Sequence, residues 1–465
     1  MRRILATTAA LFFSCLILFY IHSLVFPSNP ITSHSHAAHY ELDRLTASHP
    51  LLPPNETTPW SYHPALHAHR LTLTESQCHS AFPHLFTEID RAKAHRAHNI
   101  ITPSELTTAW RGDGIVRAMI HSNQLYIIEA RSVWDRNHRP RHLATLHALH
   151  RALVSSPEDL PDIEFTITDH DSPDFGVQPG EPGHTTWAYS RLPSQPNLWL
   201  IPDFGFWAWP DVNLRSYGEM RRRITTPSTT GAQDQEQEQA WADKKSELIW
   251  RGSVHVGSHD VRASLIEQSQ DKPWSAVAAM DWGNKTDVAA KLIGMEDHCG
   301  YKFVAQTEGN TYSARLKYLL NCGSLVIAHE HKFVEHFTHL LRKGGEEQNY
   351  VQVRRDWKDL GRVMRWLLEE EGDRRAEEVA RRSREVFRDR YLSPAAEACY
   401  WRELVRAWRE VQGFEPKFWE EIEEGKGKEK KKVRRARGVP FESYAIMEAT
   451  DWEMPTKPRK ICEYD

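Results

Sequence analysis

Asp169, His170 and Asp171 stand together in Asp169-His170-Asp171-Ser172-Pro173-Asp174, directly after the apolar run from Ile163 to Thr168. If that run is a buried strand, the carboxylates sit at its carboxyl end, where open α/β sheets place their ligands. A carboxylate there can take the proton of an attacking hydroxyl, because a general base must lie within hydrogen-bond reach of the proton it removes. Asp, Ser and Pro are also the ordinary residues of turns, so the same cluster suits a loop or a helix cap. The Asp-x-Asp spacing of Asp169 and Asp171 allows one more chemistry, two hard oxygen ligands holding Mg or Mn against a diphosphate.

A second chemistry lies further along. In the stretch from Glu308 through Gly309 and Ser313 to Leu320, a glycine-containing loop leads from a strand into an amphipathic helix expected to start near Ser313. Free N–H groups and the positive end of such a helix form an anion site, and Arg315 or Lys317 adds full charge. A diphosphate neutralised in this way needs no metal. The plainer reading is a capped helix with solvated basic residues. Trp250-Arg251-Gly252-Ser253, running on through Gly257 to Asp260 and Arg262, also passes from strand to helix and could wrap a nucleotide from the other side. Its Gly-x-x-x-x-Gly lacks the following Lys-Ser/Thr, so it is no P-loop. The aromatic residues between Trp199 and Trp209 offer flat faces for a sugar or a base, or simply a core.

These groups need elements to position them. Short β-type runs alternate with helical stretches: Gln124 to Glu129, a helix from His142 to Val154, then Ile163 to Thr168. The alternation resumes with Leu248 to Arg251, a helix from His259 to Ser269, a strand from Tyr301 to Gln306, a helix from Ser313 to Cys322 and a strand from Ser324 to Ala328. The pattern predicts an α/β protein with two lobes, residues 100–224 and 244–355, joined by a polar linker or insertion at 225–243. Helices are expected over 356–424, and a solvated basic linker and tail over 425–465, with eight Lys/Arg between Gly425 and Gly438.

With 40% hydrophobic residues, 17 Trp and 17 Phe the chain is not disordered throughout, and a mean hydropathy of -0.60 excludes a polytopic membrane protein. A net charge of -4 gives no general attraction for nucleic acid, so none is expected as a partner. From Ile4 to Phe26 no charged side chain occurs, enough as a helix to cross a hydrocarbon core about 30 Å thick. With Arg2 and Arg3 before it and no clean cleavage site after it, residues 1–27 read as an uncleaved signal anchor of a type II membrane protein. Residues 28–99 read as a luminal stem, and its histidines (His34, His36, His39, His63, His67, His69) as solvated stem residues. Asn55 and Asn284 head glycosylation sequons. Beyond Cys15 five cysteines remain, an odd number that leaves at least one unpaired within the chain.

Trp250-Arg251-Gly252-Ser253, Asp260 before its helix, Asp297-His298-Cys299-Gly300-Tyr301-Lys302, and the stretch from Ser313 through Arg315, Lys317 and Cys322 to Val326 resemble, in order and spacing, glycosyltransferase family 90. This CAP10-domain group includes the Rumi-type protein O-glucosyltransferases and the fungal capsule xylosyltransferases, and a fungal member is expected. The likeness spans roughly residues 100–415 and is strongest over 248–327. It implies a GT-B-like arrangement, two Rossmann-like lobes facing a cleft, behind the single N-terminal transmembrane helix. The second lobe would hold a UDP-sugar, and the first would offer the acceptor and the base. It also implies inverting transfer of xylose or glucose to a hydroxyl of a glycan or glycoprotein, in the Golgi or endoplasmic reticulum membrane, with no required cofactor or metal.

Carried over residue by residue, the resemblance gives Asp169 the base position with Asp171 as its rival. Ser313 and Arg315, with Lys317 nearby, become diphosphate contacts, and Arg251, Gly252, Ser253 and Asp260 the sugar-nucleotide loop. It pairs Cys299 with Cys322 and Cys78 with Cys399, leaving Cys462 without a mate. Val254-His255-Val256 departs from the family's Arg-Thr-Ser. That departure leaves the donor open and keeps alive a second class of function, a luminal carbohydrate-binding or scaffold protein without turnover.

Overall fold

The computed structural model describes residues 60–109, 113–131, 138–171, 185–209, 214, 216–225, 239–424 and 431–449. The body that carries the site begins at Ser61. After a single turn, α1 (Pro64–His67), Thr74 and Gln77 cap each other's backbone at the start of α2 (Glu75–Ala81), and α3 (Thr87–Arg96) follows. Leu73, Phe82, Leu85, Phe86 and Ile89 are all buried. Residues 61–99 are therefore part of the folded body and not stem: their apolar face packs on the long helix Pro394–Val411, and Cys78 is bonded to Cys399 on it.

The first sheet opens with β1 (Ile115–His121) and β2 (Gln124–Arg131), an antiparallel hairpin turned by Ser122 and Asn123 at φ 50° and 61°. After α4 (His138–Val154), β3 (Ile163–Thr168) pairs with β1 antiparallel, and the two-residue strands β4 (Trp187–Ala188) and β5 (Trp199–Leu200) extend the sheet in parallel. The lobe expected to be Rossmann-like is thus built on a mixed sheet. A tight turn folds β2 straight back on β1, so no crossover helix separates them.

The second sheet is parallel throughout. After α5 (Tyr217–Thr225) come β6 (Lys245–Gly252), α6 (His259–Ser269), β7 (Ser275–Ala279), α7 (Lys285–Lys291), β8 (Tyr301–Gln306), α8 (Leu316–Leu319), β9 (Leu325–His329) and β10 (Val351–Val353). The strand order is β7-β6-β8-β9-β10. This is a doubly wound order that reverses between β6 and β8, and a reversal opens a crevice outside the carboxyl ends of the two strands. Trp250, Phe303 and Ile327 form its core with Leu265 of α6, Met364 of α9 (Leu360–Leu367) and Val379 of α10 (Glu370–Val386).

The last long helix, α11 (Pro394–Val411), packs back on the first lobe, where Trp408 Nε1 donates to Glu164 O at 3.0 Å. Beyond it the described part of the basic run, Lys431–Ala436, is a strand and no linker. β11 (Trp419–Glu424) and β12 (Lys431–Ala436) form a hairpin that sets Glu420 opposite Arg435, Glu421 opposite Arg434 and Glu423 opposite Lys432. Opposite charges across a strand pair attract, so an acidic strand accounts for the basic one. Arg437 then donates twice to the buried Glu164, at 2.6 and 2.7 Å, and β13 (Val439–Pro440) adds to the edge of β2 before α12 (Phe441–Ala449). Among the described residues no helix is long and apolar enough to cross a membrane. The anchor expected over Ile4–Phe26, the stem up to residue 59, Asn55, Cys462 and residues 226–238 of the linker lie outside the described residues.

Candidate active site

At the reversal point the loops leaving β6 and β8 pack on each other: Ser258 N donates to Gly309 O at 2.9 Å, and Gly257 N to Asn310 Oδ1 at 2.9 Å. Position 257 requires a glycine for this approach, since a Cβ would stand 3.0 Å from Asn310 O. Arg262 of α6 ties both loops together, donating from Nε to Glu308 O at 2.8 Å and from Nη1 to Ser253 O at 2.7 Å. Arg315 immediately precedes α8, and its guanidinium carbon lies 5.6 Å from the centre of the Trp250 ring, as does that of Arg262. Gly252 makes room for the Trp250 ring itself, because a Cβ there would meet Trp250 Cζ2 at 2.8 Å.

Among the described residues no carboxylate or carbonyl pairs with the Arg315 guanidinium, and its Nε is buried without a partner. Burial, with the charge of Arg262 beside it, pulls Arg315 down to about 9. Burial pulls Arg262 down to about 10, against an opposite pull from Asp171. Both remain cations at neutral pH. Gln306 Oε1, Thr307 Oγ1 and Tyr312 OH, all in or next to the loop after β8, are likewise buried without hydrogen-bond partners. Two buried guanidiniums with no carboxylate bonded to them are suited to an anionic ligand.

Asp171 faces the same loop. Its Oδ1 accepts from Arg141 Nη1 of α4 at 2.9 Å, its Oδ2 from Asn310 Nδ2 at 3.4 Å, and its carbonyl from the Thr311 hydroxyl. Burial works against the charge of Arg141, but Asp171 and its neighbours outweigh it and hold the guanidinium above its ordinary value. The Asp171 side chain is 32% exposed, whereas that of Asp169 is 0% exposed. Asp169 Oδ1 lies 2.8 Å from His138 Nδ1, and its Oδ2, 3.6 Å from His142 Nε2, has no hydrogen-bond partner. Burial holds His142 below its ordinary value, with Asp169 pulling the other way. An acceptor arriving from solution meets Asp171 and cannot touch Asp169. Of the two carboxylates named from sequence, burial leaves Asp171 the one open to solution.

The other expected contacts divide. Ser253 and Ser313 lie in the two loops, with Ser313 O accepting from Gln306 Nε2 at 3.2 Å. Arg251 is turned away, donating to its own Trp250 carbonyl at 2.9 Å and to Ala276 O. Asp260 is exposed on the first turn of α6. Lys317 does not reach the anion site: it is fully buried and donates to Asp203 Oδ2 at 2.9 Å and to Ala314 O at 2.7 Å. The expected helix from Ser313 is only the single turn of α8, too short for a useful dipole, so the positive charge is that of Arg315 and Arg262. Cys299 and Cys322 are bonded, as are Cys78 and Cys399, and Asn284 caps α7 by accepting from Thr286 N and Asp287 N. A cavity of about 680 Å³ lined by Arg223, Lys245, Asp297, Cys299 and Tyr301 lies at the opposite, amino-terminal ends of β6 and β8, away from these groups. Sequence reasoning did not single out Arg262, Arg141, Asn310 or His138. Arg262 was within reach, since it falls one helical turn after the loop ends at Ser258.

Two neighbouring buried guanidiniums and a half-exposed carboxylate bonded to the same loop are groups that a transfer reaction can use. The chain belongs to glycosyl transferase family 90, whose model matches residues 75–454. It is 25% identical over 328 residues to O-glucosyltransferase rumi of Drosophila melanogaster, covering 66% of this chain and 75% of that one. To protein O-glucosyltransferase 1 of Homo sapiens it is 25% identical over 270 residues, 55% of this chain and 64% of the relative. To protein O-glucosyltransferase 3 of Homo sapiens it is 26% identical over 190 residues, 40% of this chain and 36% of the relative. The chain thus spans between about a third and three quarters of these relatives' lengths.

Proposed function

We propose that this protein is an inverting glycosyltransferase that moves glucose or xylose from a UDP-sugar to a hydroxyl of a glycoprotein or glycan. The two lobes act as a GT-B pair, with donor on the parallel sheet and acceptor on the mixed one. The reading rests chiefly on one observation: among the described residues no carboxylate is bonded to the buried guanidinium of Arg315, which lies beside that of Arg262, while Asp171 is hydrogen-bonded to the same loop. The relatives' names favour glucose.

In the reaction Asp171 takes the proton of the acceptor hydroxyl, and the oxygen attacks the anomeric carbon on the face opposite the diphosphate. The bond from that carbon to the diphosphate oxygen breaks, its electron pair leaves with UDP, and Arg315 with Arg262 stabilises the charge that develops. One displacement inverts the anomeric centre without a covalent intermediate. Residues 4–26 anchor the protein in a secretory-pathway membrane with the catalytic body luminal.

The test is UDP release from UDP-glucose, UDP-xylose, UDP-galactose and UDP-glucuronate by the purified protein, together with calorimetric titration of UDP. Release from UDP-glucose or UDP-xylose that is lost in Arg315→Ala supports the reading. UDP binding with no donor split would instead identify the scaffold protein that Val254-His255-Val256 suggests, and absence of UDP binding would remove both.

A further inference from the structure

Asp113, His138 and His170 converge beside Asp171, and the transfer step uses none of them. Each offers one ligand atom, and the three atoms lie within 4.8 Å of one another. His170 Nε2 is 3.0 Å from Asp113 Oδ1, and the His138 and His170 rings are 4.7 Å apart. They come from three separate stretches of chain: Asp113 precedes β1, His138 opens α4 and His170 follows β3. Nothing local in the sequence brings them together, so the fold does.

A second, independent feature points at an ion. Asp169 is fully buried, with Oδ1 2.8 Å from His138 Nδ1 and Oδ2 lacking any hydrogen-bond partner. A metal-ligating imidazole typically gives its other ring N–H to a carboxylate, which fixes the tautomer and presents the remaining nitrogen to the metal. An interior carboxylate is costly unless positive charge lies close by; Arg141 supplies part of it, and a dication on the far side of His138 would add to it. Gly114, at φ +59°, permits the crowding: a Cβ there would fall 2.5 Å from Asp169 Oδ1 and 2.6 Å from His170 Nε2.

We infer that Asp113, His138 and His170 form a divalent-metal site of the kind that takes Zn²⁺, with Asp169 behind His138 as the orienting carboxylate. Two imidazoles and a carboxylate are a Zn²⁺ donor set that leaves a fourth position open, and small side-chain rotations bring the ligand atoms to bonds of about 2.0–2.2 Å. Mg²⁺ and Ca²⁺ prefer all-oxygen sites and are poor competitors here. The ion would clamp His170 between Asp169 and Asp171 and so fix the end of β3 on the acceptor side. The inference goes beyond the transfer reading and does not depend on it, because metal content is measured without any donor sugar.

The experiment strips the full-length protein with a chelator and titrates Zn²⁺ against a chromophoric competitor, with metal content by plasma mass spectrometry and a Co²⁺ absorption spectrum as the geometric readout. Circular dichroism and thermal melting, followed in parallel, report that each variant is folded. Histidines elsewhere, including those before residue 60, cancel in the comparison. Wild type should bind one more Zn²⁺ per chain than His138→Ala or His170→Ala, with Asp169→Asn about 10–100-fold weaker than wild type. His79→Ala is the control: it removes the imidazole of the Glu75, His79 and Glu403 group, where Arg406, 3.2 Å from Glu75, already provides the cation. Should a histidine variant fail to fold, Asp113→Asn replaces it, since that side chain is 52% exposed and outside the core. Equal Zn²⁺ content in wild type and the folded variants, or none in either, overturns the inference.

Discussion

Replacing each of the two carboxylates by its amide separates their roles. In Asp171→Asn the amide oxygen still accepts from Arg141 and the carbonyl still accepts from Thr311, so the side chain should hold its place. What it loses is the ability to take a proton. Positioned general bases contribute about 10²–10⁴-fold, or roughly 2.7–5.5 kcal/mol, and kcat should fall by that amount. UDP affinity should hold or improve, because Asp171 is the carboxylate that offsets the charge of Arg262 and the amide no longer does so. Asp169→Asn retains an oxygen for His138 and removes a charge from the interior, so its loss should stay within about tenfold. UDP release under single-turnover conditions gives the rate, and calorimetry gives the UDP affinity of the same samples. The reverse order, with Asp169→Asn losing more than a hundredfold and Asp171→Asn near wild type, would refute the reasoning from exposure.

Arg315→Ala should weaken UDP binding about 10–150-fold, the value of one or two charge-assisted hydrogen bonds at about 1.5–3 kcal/mol in total; titration of UDP checks it, and Arg315→Lys should restore little because the planar fork is lost. Lys317→Met breaks a fully buried ion pair with Asp203 at 2.7 Å and should cost about 3–5 kcal/mol of stability in chemical denaturation, while leaving the UDP affinity of the folded fraction unchanged. Burial holds His298, His329 and His336 at about 3, so below the ordinary histidine value near 6.5 the unfolded chain binds more protons than the folded one. Stability should therefore fall as pH drops from about 6.5 towards 3, by up to about 1.4 kcal/mol per pH unit for each histidine, and His336→Phe should flatten the curve of Tm against pH.

The parts of the fold legible in the sequence are those whose period is set by burial on both faces. β3, α6 and β8 were expected over the residues they occupy, because Ile163–Thr168 and Tyr301–Gln306 are short apolar runs with clear ends, and α6 starts after a glycine loop. β7 escaped notice because Ser275–Ala279 is mostly small residues with no strand signature of their own; its partner β6 makes it a strand. β1 was hidden by Arg117, which breaks the apolar run but reaches the buried Glu164 at 2.6 Å. The basic stretch looked like a linker because its complement, the acidic strand β11, lay in a segment read as helical. At the site, the two glycine loops and Arg315 were readable from composition and spacing. The choice between Asp169 and Asp171, and the inward turn of Lys317, were not, since each depends on which side chain the tertiary structure buries.

Beside Asp171 the two lobes meet through a few hydrogen bonds. Arg191 and Val334 exchange backbone hydrogen bonds at 3.1 and 2.9 Å, Ser190 reaches Thr311 at 3.4 Å, and Thr311 and Asn310 hold Asp171. Neutral hydrogen bonds contribute about 0.5–1.5 kcal/mol each, so together they supply only a few kcal/mol. The core beneath Arg262 and Arg315 is firm: Trp250, Phe303 and Trp357 are fully buried, and deleting one such ring typically costs about 3–5 kcal/mol. The first lobe is fixed as firmly, through the Cys78–Cys399 bond and the burial of Trp401 and Trp408 of α11. Deeper between the same lobes lie the buried Lys317–Asp203 ion pair and the hydrogen bonds of Tyr318 to Gly205 O and of Arg221 to Asn321, so the few contacts beside Asp171 are the weaker part of the junction. The loop that carries Asn310 and Thr311 also borders the Arg262 and Arg315 site, so a donor that orders this loop also orders the contacts that aim Asp171. Binding of the donor and placement of the base are then one structural event.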